Sequence, residues 1–88
     1  MARPVRIDSN VQYRDLGDEA VLLHLTTGEC FTLDEVANRV WQLLGTLGDV
    51  DRVAAALSSE YHVEANVLDA ELSALMSELE RRQLIERS

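Results

Sequence analysis

Between residues 21 and 44 the spacing of apolar residues changes from every second position to every third or fourth. The alternation before Leu33 is typical of half-buried strands, and the longer spacing after it is typical of an amphipathic helix. Gly28 separates two alternating segments, and glycine readily adopts the positive φ angles of a tight turn. The pattern therefore predicts a β-hairpin that leads directly into a helix.

Alternation over residues 10–16, 19–26 and 29–33 predicts three antiparallel strands, with Gly17-Asp18 as the first turn. The second segment is apolar on both faces, which indicates a central position in the sheet or cover on both sides. One face carries Val21, Leu23 and Leu25, and the other carries Ala20, Leu22 and His24.

Three helices are predicted after the strands. Asp34 is a suitable N-cap for the first helix, because its carboxylate can accept hydrogen bonds from first-turn amides. Gly45 or Gly48 can end this helix.

Asp49 is the expected N-cap of the second helix, which loses its pattern near residues 61–62. The third and longest helix is predicted over residues 65–82. The predicted fold class is α+β, a three-stranded antiparallel sheet followed by three helices, with a winged helix-turn-helix-like arrangement. Residues 1–9 are expected to be a flexible N-terminal segment, and residues 10–85 a single domain.

Composition narrows the possible functions. The chain has 88 residues, 16 acidic and 8 basic, and a formal net charge of −8. This charge argues against nucleic-acid binding, since neutralising phosphate supplies most of that affinity, and it favours a basic partner. The lone Cys30, the lack of a secretory signal and the lack of a long apolar span predict a soluble, cytoplasmic protein that does not bind membranes.

Few residues are candidates for chemistry. Cys30 is a possible nucleophile, and His24 on the neighbouring predicted strand is its possible base. No oxyanion-hole signature accompanies them, so a small apolar role for Cys30 is favoured. The two histidines and one cysteine lack metal-ligand spacing. We therefore expect no enzymatic activity, no metal and no cofactor.

A set of motifs in order carries a family resemblance. Thr27-Gly28, Phe31, Leu33-Asp34, Ala37 and the run 40–44 (Val-Trp-Gln-Leu-Leu) occupy the positions of a family pattern. In this order the chain resembles the PqqD-like family, the peptide recognition elements of ribosomal-peptide maturation pathways. The resemblance covers about residues 10–85.

Three residues depart from that pattern. Cys30 replaces a common aromatic, Asp34 replaces the usual Asn cap, and Gln83 replaces a Gly that usually precedes Leu-Ile. The last change predicts either a less sharp end to the third helix or strain at a left-handed residue.

The resemblance implies a non-catalytic protein that binds the leader of a precursor peptide. The short Thr-Gly turn is most similar to the stand-alone recognition proteins of lasso-peptide pathways. Such a protein would deliver the precursor to a leader peptidase of the transglutaminase-like cysteine protease type and to an ATP-dependent macrocyclase. The alternative within the family is a PqqD-type peptide chaperone for a radical-SAM enzyme in PQQ or related cofactor biosynthesis.

The implied mechanism is β-strand addition to the edge of the third predicted strand. Leader side chains would enter a groove between this strand and the third helix, and the acids Glu29 and Glu71 would meet basic leader residues. The predicted peptide-binding residues are Glu29, Cys30, Phe31, Thr32, Leu33, Leu68, Glu71, Leu72, Leu75 and Met76.

Two functions of other classes remain open from the sequence. A winged-helix DNA-binding protein would share the helix-turn-helix, but its recognition helix would carry Glu71, Glu78 and Glu80. An acyl or peptidyl carrier is also small and acidic, but it needs a serine at the start of an apolar helix. Asp8-Ser9-Asn10 does not provide one.

Overall fold

The chain forms five short strands and three helices, and the structure, a computed structural model, describes residues 3–87. In chain order the elements are β1 (Val5–Ile7), β2 (Val11–Asp15), β3 (Ala20–His24), β4 (Cys30–Leu33), α1 (Glu35–Leu47), α2 (Val50–Glu60), α3 (Ala65–Arg81) and β5 (Ile85–Arg87). The predicted α+β class, with three antiparallel strands followed by three helices, is confirmed. The term winged helix fits only loosely, because the sheet precedes the helices.

The main sheet has the order β2-β3-β4, so β3 is the central strand. Its face with Ala20, Leu22 and His24 is buried, whereas Leu23 on the other face remains 38% exposed. The apolar residues on both faces of β3 therefore reflect its central position. Within residues 3–87 no helix covers the outer face.

Both predicted aspartate caps are confirmed. The Asp34 carboxylate accepts a hydrogen bond from the Ala37 amide at 2.8 Å. Asp49 accepts bonds from the amides of Asp51 and Arg52 at the start of α2. Between these helices Gly48 ends α1 with a φ of 64°, in the left-handed region that glycine tolerates.

The core lies between the inner face of the sheet and all three helices. The core side chains are almost completely removed from solvent, and they come from the sheet and from all three helices. The largest of the fully buried side chains are Leu22, Leu33, Val40, Val53, Leu57, Met76, Leu79, Leu84 and Ile85.

Part of the segment predicted as flexible over residues 1–9 forms a strand in this structure. Val5–Ile7 form β1, which pairs antiparallel with β5. The Val5 amide also donates to the Gly48 carbonyl at 2.9 Å, and the Val50 amide donates to the Arg3 carbonyl at 3.0 Å. A segment of three residues is too short to show a strand alternation in the sequence. Its pairing with β5 is therefore visible only in the structure. Met1 and Ala2 lie outside the described residues.

Gln83 has a φ of 62°, and it is the one non-glycine residue with positive φ in residues 3–87. Its amide donates to the Glu80 carbonyl at 3.0 Å, and the Leu84 amide donates to the Leu79 carbonyl at 2.9 Å. These two bonds form a Schellman motif that ends α3. Of the two outcomes expected at Gln83, the left-handed residue is the one observed.

Replacing Gln83 with glycine should stabilise the protein. A left-handed conformation costs an L-residue roughly 1–2 kcal/mol, and glycine avoids this cost. Part of the resulting gain in stability is offset by the greater freedom of glycine in the unfolded chain. We expect Gln83→Gly to raise the free energy of unfolding by about 0.5–1 kcal/mol, measured by urea denaturation. Gln83→Val should lower it, because a β-branched residue tolerates positive φ poorly.

The matched control is Gln12→Gly on the exposed face of β2, where φ is not positive. There the same substitution should lower the free energy of unfolding by roughly 0.5–1 kcal/mol. Equal losses at both positions would contradict the Schellman assignment.

Candidate functional site

One edge of the main sheet is open along β4. Within residues 3–87, β4 pairs with β3 and with no other strand. An unpaired edge presents a row of backbone donors and acceptors to a second chain. It is the edge that the sequence analysis proposed for strand addition.

The register identifies which backbone groups of β4 point outward. The His24 amide donates to the Glu29 carbonyl at 2.9 Å, and Phe31 lies opposite Leu22. Opposite residues in an antiparallel pair alternate between bonded and non-bonded pairs. Phe31 and Leu33 therefore bond to β3, while the N–H and C=O groups of Cys30 and Thr32 face the open edge.

Helix α3 lies beside β4 and runs in the opposite direction. Its last turn reaches the start of β4, where Arg82 bonds to Glu29. Its first half lines a groove that begins at Asp34, the residue after β4. The groove therefore adjoins β4 at Asp34, and none of residues 29–33 lines it.

This groove has a volume of about 340 Å³ and mostly apolar walls. Four of the predicted residues line it, all on α3: Leu68, Glu71, Leu72 and Leu75. The remaining walls are Asp34, Val36, Ala37 and Val40 at the start of α1, and Leu57 of α2.

The sequence analysis did not include the α1 residues. Val36 lies in the first turn of α1, and 44% of its surface is exposed. The sequence pattern alone assigns such a residue to the buried face of the helix. Only the position of α3 leaves the Val36 side chain exposed.

Four of the predicted residues, Leu33, Leu68, Leu72 and Met76, belong to the buried core, and of these Leu33 and Met76 do not line the groove. Leu33 is fully buried and Met76 is 1% exposed. Their side chains contribute to the packing beneath the groove and do not line it. The peptide-binding residues as a set stay a prediction.

Phe31 and Glu29 belong to a second feature, which we call the Arg82 clip (Glu29, Phe31, Glu78 and Arg82). The Arg82 guanidinium lies 5.0 Å from the centroid of the Phe31 ring. It also donates to Glu29 at 3.0 Å and to Glu78 at 2.8 Å. The clip covers Phe31 and joins the end of α3 to the start of β4.

Hydrogen bonds from Arg81 and Arg82 hold the pKa of Glu78 below its ordinary value. Glu78 is therefore ionised at neutral pH. Because the pKa is lowered in the folded state, the stabilisation from this contact is present above the ordinary glutamate pKa and is lost as the pH falls through the lowered value.

Cys30 and His24 do not form a nucleophile and base. Cys30 lies opposite Leu23 and shares the exposed outer face with it, whereas His24 lies on the buried face. The Nδ1 atom of His24 accepts hydrogen bonds from the amides of Thr26 and Thr27 at 3.2 and 3.3 Å. His24 thus holds the β3–β4 turn in place.

Other kinds of site are not seen in residues 3–87. There, no three His, Cys, Asp or Glu side chains are grouped so that they could hold a metal ion. No helix in the same range is long and apolar enough to cross a membrane.

Two solved structures resemble this fold closely. One is TbiB1 in complex with the TbiA(beta) leader peptide, at 33% sequence identity and a TM-score of 0.87, covering 92% of this chain and 94% of that chain. The other is lasso peptide synthetase B1 complexed with the leader peptide, at 25% identity and a TM-score of 0.82, covering 94% of this chain and 98% of that chain. No sequence in the comparison with curated proteins matches this chain.

The family resemblance of the sequence is also confirmed by a family model. The model described as coenzyme PQQ synthesis protein D (PqqD) matches residues 19–85, from the residue before β3 to the first residue of β5. The match spans well over half of the 88 residues. This chain therefore belongs to the PqqD family.

Proposed function

We propose that this chain binds the leader region of a ribosomally made precursor peptide by adding a leader strand to β4. The open edge beside an apolar groove is the observation that carries the proposal. Both similar solved structures are complexes with leader peptides, which supports it. In this role the chain binds its partner and catalyses no reaction.

Backbone pairing supplies affinity without sequence preference. The outward N–H and C=O groups of Cys30 and Thr32 allow up to four hydrogen bonds, at about 0.5–1.5 kcal/mol net each. A disordered leader loses roughly 2–5 kcal/mol or more on ordering. The backbone bonds alone therefore do little more than offset the cost of ordering.

The groove supplies the remaining affinity and the specificity. Its 340 Å³ is at the lower end of the usual range for ligand pockets, and its mostly apolar walls suit apolar side chains of the leader. Each buried anchor contributes about 1.5–3 kcal/mol. Two or three anchors and the strand pairing give an expected Kd of roughly 10 nM to 10 µM.

The bound leader would be delivered to a separate leader peptidase and an ATP-dependent macrocyclase. The similarity to lasso peptide synthetase B1 supports this pathway. The family model, described by its role in coenzyme PQQ synthesis, supports the second candidate, a peptide chaperone for a radical-SAM enzyme. Binding assays with the enzymes encoded beside this chain distinguish the two.

DNA binding is the weaker alternative. In a helix-turn-helix the second helix contacts DNA, and here α3 carries Glu71, Glu78 and Glu80. Phosphate would be repelled along most of this helix. DNA retention that falls steeply with salt would favour this alternative.

The ligand can be identified by display of the short open reading frames of the genome that encodes this chain. We expect one short precursor-like reading frame to be enriched on the immobilised protein, with binding confined to its N-terminal part. Failure to enrich any peptide would contradict the proposed function. The enriched segment is called the selected leader below.

Hydrogen exchange should reveal strand addition with an alternating pattern. The selected leader should slow exchange at the amides of Cys30 and Thr32 by roughly tenfold or more, because these donors face the open edge. The amides of Phe31 and Leu33 should already exchange slowly in the free protein, since they bond to β3.

The opposite edge of the sheet is the internal control. The Leu25 amide bonds to the Asn10 carbonyl, so alternation directs the amides of Tyr13 and Asp15 away from β3. These two amides should be unaffected by the leader. Slowing at Tyr13 and Asp15 in place of Cys30 and Thr32 would put the added strand on β2.

A charge inside the groove should prevent anchor binding. Val36 lines the groove in the first turn of α1, where an added carboxylate is favourable for the helix. Val36→Glu should therefore fold normally and weaken binding of the selected leader by about tenfold or more, measured by isothermal titration calorimetry.

Val63→Glu is the matched control. Val63 has a similar exposure, 39%, but it lies in the loop before α3 and does not line the groove. Its substitution should leave the leader affinity within about twofold, as is usual for surface changes. Unchanged affinity in Val36→Glu would show that the anchor binds elsewhere.

A further inference from the structure

The two ends of the surface between β4 and α3 differ in their available charge. At the start of β4 the carboxylates of Glu29 and Glu78 both bond to Arg82. At the other end, Asp34 and Glu71 line the groove, and neither carboxylate forms an ion pair within residues 3–87. Uncompensated negative charge therefore lies next to the apolar anchor site and not at the clip.

Asp34 is partly compensated by the backbone. Its carboxylate accepts the hydrogen bond from the Ala37 amide at 2.8 Å. It also lies at the N-terminus of α1, where the helix dipole presents partial positive charge. The Asp34 carboxylate therefore already has a backbone hydrogen-bond partner.

Glu71 has no such compensation. It lies in the interior of α3, away from either helix end, and its side chain makes no hydrogen bond or ion pair within the described residues. The protein's own arginines do not supply a partner. Arg14 and Arg52 form no ion pair within residues 3–87, but neither lines the groove.

We propose that the peptide bound by this chain carries a lysine or arginine beside its apolar anchor, and that this cation pairs with Glu71. The inference rests on the proposed function and specifies the chemistry of its ligand. It favours Glu71 over Glu29 as the principal acidic contact, because Glu29 already pairs with Arg82 in the clip.

The physical reason is selective desolvation. A strand seated on β4 and an anchor in the groove remove water from Glu71, and a desolvated charge without a partner is unfavourable. A peptide with a basic residue at this point avoids that penalty, and a peptide with an acid there adds like-charge repulsion. Discrimination against the wrong peptide is therefore stronger than the attraction to the right one.

Selection from a displayed library of random peptides tests this preference. We expect the wild-type protein to enrich peptides that combine apolar anchors with a basic residue at a constant spacing. The Glu71→Gln variant should enrich the same anchors without the basic residue. Enrichment of anchors with no basic residue by both proteins would overturn the inference and leave the proposed function intact. No enriched peptide at all would overturn both.

A charge swap gives the sharper readout, with a synthetic peptide from the wild-type selection as the probe. Glu71→Lys should weaken its binding by tenfold or more, whereas the neutral Glu71→Gln should weaken it by about two- to fivefold. Exchanging the basic residue of the peptide for glutamate should restore much of the affinity for Glu71→Lys. A purely structural role of Glu71 would not produce this recovery, and its absence would overturn the pairing.

Glu80→Lys is the matched control on the same helix. Glu80 lies nine positions after Glu71, about two and a half turns, and so faces the opposite side of α3. The same change in net charge should alter affinity for the wild-type peptide by less than twofold at moderate salt. Equal effects at both positions would indicate a general charge effect and would contradict a specific contact at Glu71.

Discussion

The burial of Leu22 and Leu33 against the helices sets the orientation of the whole main sheet. These two side chains are completely removed from solvent, and they come from neighbouring strands of the same face. A shift of register by one residue would turn every side chain of a strand to the opposite face. Because the register is held in this way, the backbone groups of Cys30 and Thr32 point to the open edge, and the candidate site follows from the packing of the core.

The same packing positions α3 so that its first half lines the groove at the end of β4. Leu72, Met76 and Leu79 are buried against the core, so the helix presents Glu71 and Leu75 to the neighbouring surface. At its end, the Schellman motif at Gln83 directs the chain into β5, which pairs with β1. The strained residue thus joins the helix that borders the groove to the strand pair that ties the two ends of the domain together.

The recognition surface combines two kinds of interaction with different consequences. In the proposed function, backbone pairing along β4 would be insensitive to the peptide sequence, while the groove and its acidic rim would discriminate between side chains. The Arg82 clip lies at one end of this surface, where Arg82 packs over Phe31 and bonds to Glu29. The proposed pairing would direct the attraction of this acidic protein for basic peptides to one position, Glu71.

The amino-acid sequence by itself determined the order of the three main strands and three helices and both aspartate caps, because these depend on local periodicity, capping and turn chemistry. It left two outcomes open at Gln83, and it gave the edge position of the third strand only through the family resemblance. It did not determine that Val36 is open while Met76 is closed, since both lie on apolar helix stripes and differ only in what packs against them. The pairing of β1 with β5, the clip across Phe31 and the isolation of Glu71 were likewise decided by the tertiary structure. Each of them joins residues far apart in the chain, and no local pattern records which distant side chain will be the neighbour.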